Sequence, residues 1–530
     1  MIGSQFAWAE RPFGNDLGRL LKTAIPVLAL GIMAGLGISS VGAVNAVFLL
    51  AVIPAVALMI WALADPRRGF YVALFILPFI ELAKRLLFLG DGVSQTQYLA
   101  VKVVPDVIIL VALISYVHRD LVRRRLPLAP TVIDKLVLCF LLWNLLEIGN
   151  PNSTLLVGLG GFDYTGVPVA LYFLARSVIR NVNDLERVSL LVVSTGVIAS
   201  LYGLKQELFG LAPFEVRWLN SGLTSLGFSY IESAGLLRAF STFASHKEFG
   251  FYLAAAIGFA LFLRPRYPIV VFTIPVLLAG LTVTWARDAW SDGLGMLFIL
   301  ILFRLRMTAV LRSMVFLALY TSPILVPLFG PSVMTILSDA QGSTADQIAQ
   351  AATVSGTFIA RIDTWREALA HPWAFLSPIG NGIGTTFVGS RINDQFQFAI
   401  IPHNGVLSMS YEIGSLGAIL FLVLWGIAWL RISTAAVATE RRIAGPLSIC
   451  LAIQFGILVP DMLINDSFIL RPAAVFFWLT LAAAVSLSNA PAMTAIGRDD
   501  DVALPTESVQ IMRESQAKAR GIVNELISGM

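Results

Sequence analysis

Long apolar runs recur along this chain and constrain its fold more than any other feature. Each run spans about 17–25 residues, the length with which an α-helix crosses the hydrocarbon core of a bilayer. Of the 530 residues, 57% are hydrophobic and only 13% are charged, which excludes an ordinary soluble protein. The sequence therefore predicts an all-α polytopic membrane protein with about 12–14 transmembrane helices. The fourteen runs lie at roughly 20–40, 41–64, 69–89, 99–117, 132–148, 164–179, 187–205, 247–263, 267–286, 289–304, 307–329, 405–431, 443–464 and 470–489.

The placement of Lys and Arg predicts how these helices are oriented, because cytoplasmic loops carry an excess of both. With fourteen crossings, every basic cluster falls on the same side as the two termini, which we therefore expect to be cytoplasmic. The clusters are Arg67 and Arg68, Arg119 with 123–125, Arg176 and Arg180, Arg264 and Arg266, Arg304 and Arg306, and Arg441 and Arg442. Two long loops, about 206–246 and 330–404, then face outward.

The remaining global features exclude several classes. Cys139 and Cys450 lie inside apolar runs, where a free thiol behaves as a small hydrophobe, so a disulfide framework or a cysteine-based metal site is not expected. The net charge of +4 reflects the cytoplasmic bias and gives no support to nucleic-acid binding. The chain divides into N-terminal helices (1–190), a central region with both long loops (191–431), C-terminal helices (432–490) and a cytoplasmic tail (491–530).

Cationic side chains gather on the predicted outer side of this apolar protein. Arg238, His246 and Lys247 crowd the start of the helix expected near residue 247, where exposed N–H groups favour a bound anion. Arg287 stands in the short turn WARDAW at 285–290, between two interfacial tryptophans. Anchoring to headgroups, or pairing of Arg287 with Asp288, is the structural alternative.

The second long loop contains an amphipathic pattern and a glycine-rich turn. Ile362, Trp365 and Leu369 repeat at helical spacing and predict a helix along the membrane surface. Arg361 precedes Trp365 by four residues and shares its face. The following segment, PIGNGIG at 378–384, permits a tight backbone to approach a ligand closely. It lacks the strand–turn–helix setting of a dinucleotide site.

The second loop ends at a histidine beside the next helix. His403 follows Pro402 at the start of the twelfth run, which carries Glu412. A histidine placed between water and membrane is suited to accept a proton near neutral pH. We therefore expect His403 to be a candidate base.

Three of these segments together resemble the O-antigen ligase and polysaccharide polymerase superfamily. They are Arg238 with His246 and Lys247, Arg361 with Trp365 and the turn at 380–382, and 402–404 with 412–414. The resemblance covers about 190–430 in order and spacing. The chain departs from the family pattern at Glu248, where a polar residue such as Asn is frequent, and at 286–288, where Ala-Arg-Asp replaces Ser-Arg-Gly.

The resemblance implies glycan transfer from a polyprenyl-diphosphate-linked oligosaccharide to an acceptor hydroxyl, on the periplasmic face of a bacterial inner membrane and without metal or cofactor. The resemblance assigns six residues to substrate binding: Arg238, Arg287, Arg361, His246, Lys247 and Glu412. Arg238, Arg287 and Arg361 stabilise the diphosphate leaving group, and His403 acts as general base in an inverting displacement. The implied partners are the lipid-linked oligosaccharide, membrane lipids and other polysaccharide assembly or export proteins, with no nucleic acid.

Several readings stay open from the sequence. We favour a polymerase of exopolysaccharide or O-antigen repeats, because fourteen spans exceed the roughly twelve that the resemblance suggests for ligases. A ligase to lipid A core and a protein O-oligosaccharyltransferase have the same motifs.

An alternative from another class is a lipid-linked glycan transporter or flippase, which places ionisable residues inside its spans. Lys102 and Asp106, four apart around Pro105, are candidates that we interpret as an ion pair, with Glu81 and Lys84 nearby. A non-catalytic export scaffold leaves the cations unexplained.

Overall fold

The computed structural model describes an almost entirely helical protein over residues 46–90, 93–123, 130–223, 232–233, 236–304, 309–340, 362–386, 403–438, 441–464 and 471–489. The predicted first span, 20–40, and the tail lie outside these residues. The helices, in chain order, are α1 Ala46–Ala64, α2 Pro66–Ile76, α3 Ile80–Leu86, α4 Gln95–Lys102, α5 Val104–Arg123, α6 Val132–Glu147, α7 Leu155–Val178, α8 Val182–Phe209, α9 Pro213–Leu219, α10 His246–Leu263, α11 Thr273–Thr282, α12 Arg287–Arg304, α13 Ala309–Ala340, α14 at 362–370, α15 Pro372–Leu376, α16 Gly405–Ala438, α17 Arg441–Leu451, α18 Leu458–Ile464 and α19 Arg471–Asn489. Strands β1, Glu232–Ser233, and β2, Leu236–Leu237, form a short antiparallel pair.

Six helices of the described part are long and apolar enough to cross a membrane, which indicates a membrane protein. These spans are Leu155–Val178, Val182–Phe209, His246–Leu263, Leu311–Leu328, Gly405–Val437 and Arg471–Ser488. A seventh forms if α4 and the start of α5, bent by 42°, count as one span. The count of fourteen stays a prediction.

Other predicted runs are broken into shorter helices. The run at 267–286 divides into the 3-10 helix Pro268–Phe272 and the ten-residue α11. In the run at 69–89, a 3-10 turn containing Pro78 separates α2 from α3, because proline has no N–H to donate inside a helix. In the run at 443–464, the π-helix Ala452–Ile457 joins α17 to α18.

Polar residues at the helix starts explain where several of these helices begin. The Ser245 hydroxyl accepts a hydrogen bond from the backbone N–H of Glu248 at 3.2 Å, which caps the first turn of α10. Thr131 caps α6 in the same way: its hydroxyl accepts from the Asp134 N–H, and its own N–H donates to the Asp134 carboxylate. Such caps satisfy N–H groups that have no partner within the helix.

Contacts at glycines show the directions of the central helices. A Cβ at Gly250 would meet Ala289, and one at Gly258 would meet Met296, so α10 and α12 run parallel. Gly203 of α8 lies against Phe249 of α10, near the end of one helix and the start of the other, so these two are antiparallel. We call the end of the bundle at which α10 and α12 begin and α8 finishes the upper end.

Ion pairs at the opposite, lower end join several of the predicted basic clusters. Arg67 donates to Asp184 at 2.7 Å, and Arg266 lies 2.8 Å from Glu186. Arg176 pairs with Asp134 at 3.1 Å. The clusters around residues 67, 176 and 266 therefore lie at one end of the bundle, and their assignment to the cytoplasmic side stays a prediction.

The last described helix, α19, forms the centre of the core. In its apolar stretch, 94% of the residues are buried inside the protein. Trp478 stacks on Phe140 of α6, and Phe477 packs edge-on against Trp425 of α16. The described residues up to Ser488 belong to one compact unit. The predicted boundaries at 190/191 and 431/432 fall inside α8 and α16, so a continuous helix crosses each of them.

Candidate functional site

The segment that leads into α10 is held by an extensive set of hydrogen bonds. The Ala239 N–H donates to the Val283 carbonyl at 3.0 Å. Ser241 has a positive φ of 51°, its N–H donates to Gln206 Oε1 at 2.7 Å, and its hydroxyl donates to the Ala199 carbonyl. Positive φ is uncommon for residues other than glycine and persists only where the surroundings impose it. The path between Arg238 and His246 is therefore fixed by the fold.

A fully buried arginine from α3 supports the same segment. Arg85 donates to the Ser241 carbonyl at 2.6 Å, to the Phe243 carbonyl at 3.4 Å and to Glu215 Oε1 at 3.0 Å. Its guanidinium lies 4.7 Å from the ring centroid of Phe240. Glu215 is itself fully buried, so each charge has its counter-ion. Sequence reasoning missed this pair, whose members are 130 residues apart.

Four of the residues predicted to bind substrate begin or precede parallel helices at the upper end. We call the cations Arg238, Lys247 and Arg287, together with the buried His246, the cationic group. His246, the first residue of α10, is buried, and its charged neighbours are Asp288, Arg238 and Lys247. Lys247 lies 3.7 Å from Asp288. Arg287 is the exposed first residue of α12. The structure thus brings together residues from two separate sequence motifs.

Arg238 differs in its surroundings from Arg85 and Arg176, which have carboxylate partners. Its side chain is half-buried, and it makes no hydrogen bond or ion pair with the residues that the structure describes. Asp288, the nearby acid, is 3.7 Å from Lys247 instead. A half-buried guanidinium retains five N–H donors for an anionic ligand.

Glu412 lies at a break in α16. Gly414 has a φ of +75°, which interrupts the helix. The Glu412 carboxylate accepts hydrogen bonds from the N–H of Thr386, at 3.0 Å, and from the Thr386 hydroxyl. Its backbone carbonyl accepts from the Gly382 N–H at 3.0 Å. The turn at 377–386 therefore holds Glu412 in a fixed, buried position.

The glycines of this turn approach the chain itself. A Cβ at Gly380 would lie 2.1 Å from the Glu412 carbonyl oxygen, and one at Gly384 would lie 2.7 Å from the Cα of Gly161. The Asn381 N–H donates to the Tyr411 carbonyl at 2.9 Å. The expected close approach is present, but its partner is the backbone of α16 and α7, because the broken helix offers carbonyls without a helical partner.

His403 is exposed and has a positive φ of 46°. Asn404 fixes the chain directly after it: its side-chain oxygen accepts from the N–H groups of Val406 and Leu407, and its amide donates to the carbonyls of Pro323 and Leu463. Asn404 is therefore both the N-cap of α16 and a link to α13 and α18. His403 is held at the start of α16, nine residues before Glu412.

The second loop contains a helix at the predicted place, α14. Ile362, Trp365 and Ala368 are buried, while Asp363 and Arg366 are exposed and pair at 3.1 Å. This confirms an amphipathic helix at 362–370. Arg361 lies outside the described residues, so its role as a diphosphate ligand stays a prediction.

Charged side chains inside the spans form a network, which we call the buried ionic network; its members are Lys102, Asp106, Asp163 and Arg471. The ion-pair partners predicted for Lys102 and Asp106 were wrong. Arg471 donates to Asp106 at 2.7 Å and to both oxygens of Asp163 at 3.1 Å, and Lys102 pairs with Asp163 at 3.0 Å. Lys102 and Asp106 were expected to pair with each other. Because α4 stops at Lys102 and the next helix is bent by 42°, the two side chains do not share one helical face. The sequence feature that could have indicated a role for Arg471 is its position at the start of an apolar run.

The helical bundle with its buried charges defines a polytopic membrane protein. No protein-family model matches the chain, and no curated protein is similar enough to count as a relative. Among the described residues, no three His, Cys, Asp or Glu side chains come together as metal ligands. The geometry of the upper end therefore carries the functional conclusion.

Proposed function

We propose that this protein transfers a glycan from a polyprenyl-diphosphate carrier to a hydroxyl of an acceptor sugar. In this proposal the upper end of the bundle faces the periplasm of a bacterial cell, and the reaction polymerises repeat units of an exopolysaccharide or O-antigen. The acceptor oxygen attacks the anomeric carbon, the bond to the diphosphate breaks, and the configuration inverts. The negative charge on the leaving diphosphate is what the protein must stabilise.

The observation that carries this proposal is the setting of Arg238. It is half-buried without an acidic partner among the described residues, beside His246 and Lys247. The N-termini of α10 and α12 lie side by side there, and each adds N–H groups and partial positive charge. Arginine binds phosphate through paired hydrogen bonds and stays charged at any relevant pH. Arg238 and Arg287 are the described diphosphate ligands in this proposal, and Arg361 is the third.

His403 is the proposed general base. Its imidazole is exposed at the start of α16, and the four hydrogen bonds of Asn404 hold the backbone that carries it. The imidazole takes the proton from the acceptor hydroxyl as the new glycosidic bond forms. A fixed backbone with an accessible side chain suits a group that must reach a substrate arriving from water.

The experiment is reconstitution of the purified protein in liposomes with a polyprenyl-diphosphate-linked oligosaccharide. Three acceptors are supplied separately: a second carrier-linked oligosaccharide, lipid A core and a peptide. Extension of the carrier-linked acceptor supports a polymerase, and transfer to lipid A core or to the peptide supports the ligase or the protein transferase. We expect His403→Ala to lower the rate by about 10²–10⁴-fold.

The matched control for the arginines is Arg264→Ala. Arg264 is an exposed cation at the opposite end of α10. Arg238→Ala removes a donor to the developing charge, and we expect it to lower the rate by about 10²-fold or more, with Arg264→Ala unchanged. If the wild-type protein extends none of the three acceptors, the proposal is wrong.

Two observations favour a transporter of lipid-linked glycans as the second candidate. The buried ionic network lies within spans, and α16 is broken at Gly414; both features mark substrate pathways in transporters. The same liposomes distinguish this function, because a flippase moves a labelled lipid-linked oligosaccharide between leaflets when no acceptor is present. Movement without transfer would replace the enzyme proposal with this one.

A further inference from the structure

A small cavity lies between α6, α7, α16 and α19, next to the break in α16. Its volume is about 40 Å³, and its wall includes Asn144, Thr386, Gly405, Glu412 and Trp478. Gly405 is the first residue of α16 and follows His403 by two positions. The cavity therefore adjoins the backbone that carries the proposed base.

Two buried polar atoms of this wall lack a protein partner among the described residues. They are the side-chain oxygen of Asn144, whose residue is 1% exposed, and the indole nitrogen of Trp478, also 1% exposed. The Asn144 amide nitrogen donates to the Phe140 carbonyl at 2.7 Å, so only the oxygen remains. A buried polar atom without a hydrogen bond is costly, and proteins rarely retain one without a reason.

The two atoms differ in hydrogen-bonding type. Asn144 presents an acceptor and Trp478 presents an N–H donor. A hydroxyl group both donates and accepts, so hydroxyl groups within reach of the two atoms satisfy both, whereas an anion satisfies only the indole and a cation only the amide oxygen. The Glu412 carboxylate in the same wall is held in place by Thr386, and it favours a donor over an anion.

The size of the cavity limits what can enter. One water needs about 10–15 Å³ of such volume, so 40 Å³ admits a few waters or one hydroxymethyl group but no sugar ring. We propose that this cavity is a hydroxyl-binding site in which Asn144 and Trp478 bind either water or a hydroxymethyl arm of the acceptor sugar. The second source rests on the proposed glycan transfer, and the first does not.

Radiolytic hydroxyl-radical labelling of the purified protein tests this site, because radicals formed from a bound water oxidise the side chains beside it. Trp425 is the matched control: it is as deeply buried as Trp478, its indole nitrogen also lacks a partner among the described residues, and it is not part of the cavity wall. We expect Trp478 to be oxidised several-fold faster than Trp425. Equal rates for the two tryptophans would overturn the proposal.

Two further experiments test the role of Asn144 and the source of the hydroxyl group. Asn144→Leu replaces the acceptor with an apolar group, and we expect the oxidation of Trp478 to fall to the rate of Trp425; an unchanged rate would contradict the role of Asn144. Labelling is then repeated with the lipid-linked oligosaccharide present. Protection of Trp478 identifies the sugar as a source of the hydroxyl, and unchanged labelling identifies water alone. Labelling without substrate needs no transfer activity, so failure of the proposed function is a separate result.

Discussion

The buried ionic network and the cationic group are both charged regions of an apolar bundle, yet their charges are arranged in opposite ways. In the network, Arg471 and Lys102 face Asp106 and Asp163, so two positive charges meet two negative ones within 2.7–3.1 Å. In the cationic group, Arg238 has no acidic partner among the described residues and Asp288 lies near Lys247. Balanced, buried charges hold helices together, whereas an unbalanced cation beside two helix N-termini is available to a ligand.

This contrast predicts the largest effect for Arg471→Leu. The substitution leaves Asp106 and Asp163 buried beside Lys102 alone, and breaking a buried pair in this way costs about 3–5 kcal/mol. We expect a much lower thermal unfolding temperature in detergent, measured by tryptophan fluorescence, or failure to purify. Arg264→Ala serves as the control, because that arginine is exposed. Wild-type stability in Arg471→Leu would mean that the network contributes nothing to the fold.

The next effect concerns the pair of Arg85 and Glu215, a balanced site that supports the cationic group. Arg85→Met removes the donors to the carbonyls of Ser241 and Phe243 and leaves Glu215 buried without its counter-ion. We expect a loss of about 3 kcal/mol or more. Glu215→Gln and the double variant complete a double-mutant cycle, and we expect the double variant to lose less than the sum. Strict additivity would show that the two charges do not interact.

The sequence predicted the helical character of the chain better than the contacts between the helices. The helix expected near residue 247 begins at His246, and the pattern of Ile362 and Trp365 indicated α14, because hydrophobic runs and amphipathicity are local properties. The partners of Lys102 and Asp106 were wrong because they depend on the bend after Lys102. Arg471 and Asp106 are 365 positions apart, and no local pattern relates them. The glycine turn likewise contacts backbone because α16 is broken at Gly414, and no local pattern indicates that contact.

A smaller effect is expected for the turn that holds Glu412. An alanine at Gly380 would place its Cβ 2.1 Å from the Glu412 carbonyl oxygen, so the turn must move, at a cost of about 1–3 kcal/mol. Gly293→Ala is the matched control, since a Cβ there meets nothing within 4 Å and lies in α12, where alanine is favoured over glycine by about 0.5–1 kcal/mol. Thermal unfolding of both variants measures the difference. A Gly380→Ala variant as stable as Gly293→Ala would mean that the contact is not tight.

The smallest effect on stability, and the sharpest separation of the two regions, is expected for Arg238→Ala. Because Arg238 has no ion pair with the described residues to lose, the free energy of unfolding should change by no more than about 0.5 kcal/mol. Pyrophosphate provides the second measurement: a ligand that binds only the folded protein raises the unfolding temperature as its concentration increases. We expect this rise in the wild type and in Arg264→Ala, a reduced rise in Arg238→Lys, which keeps the charge without the fork, and none in Arg238→Ala. An identical rise in all four proteins would place the anion elsewhere, and Arg238 would then be a cation without a ligand.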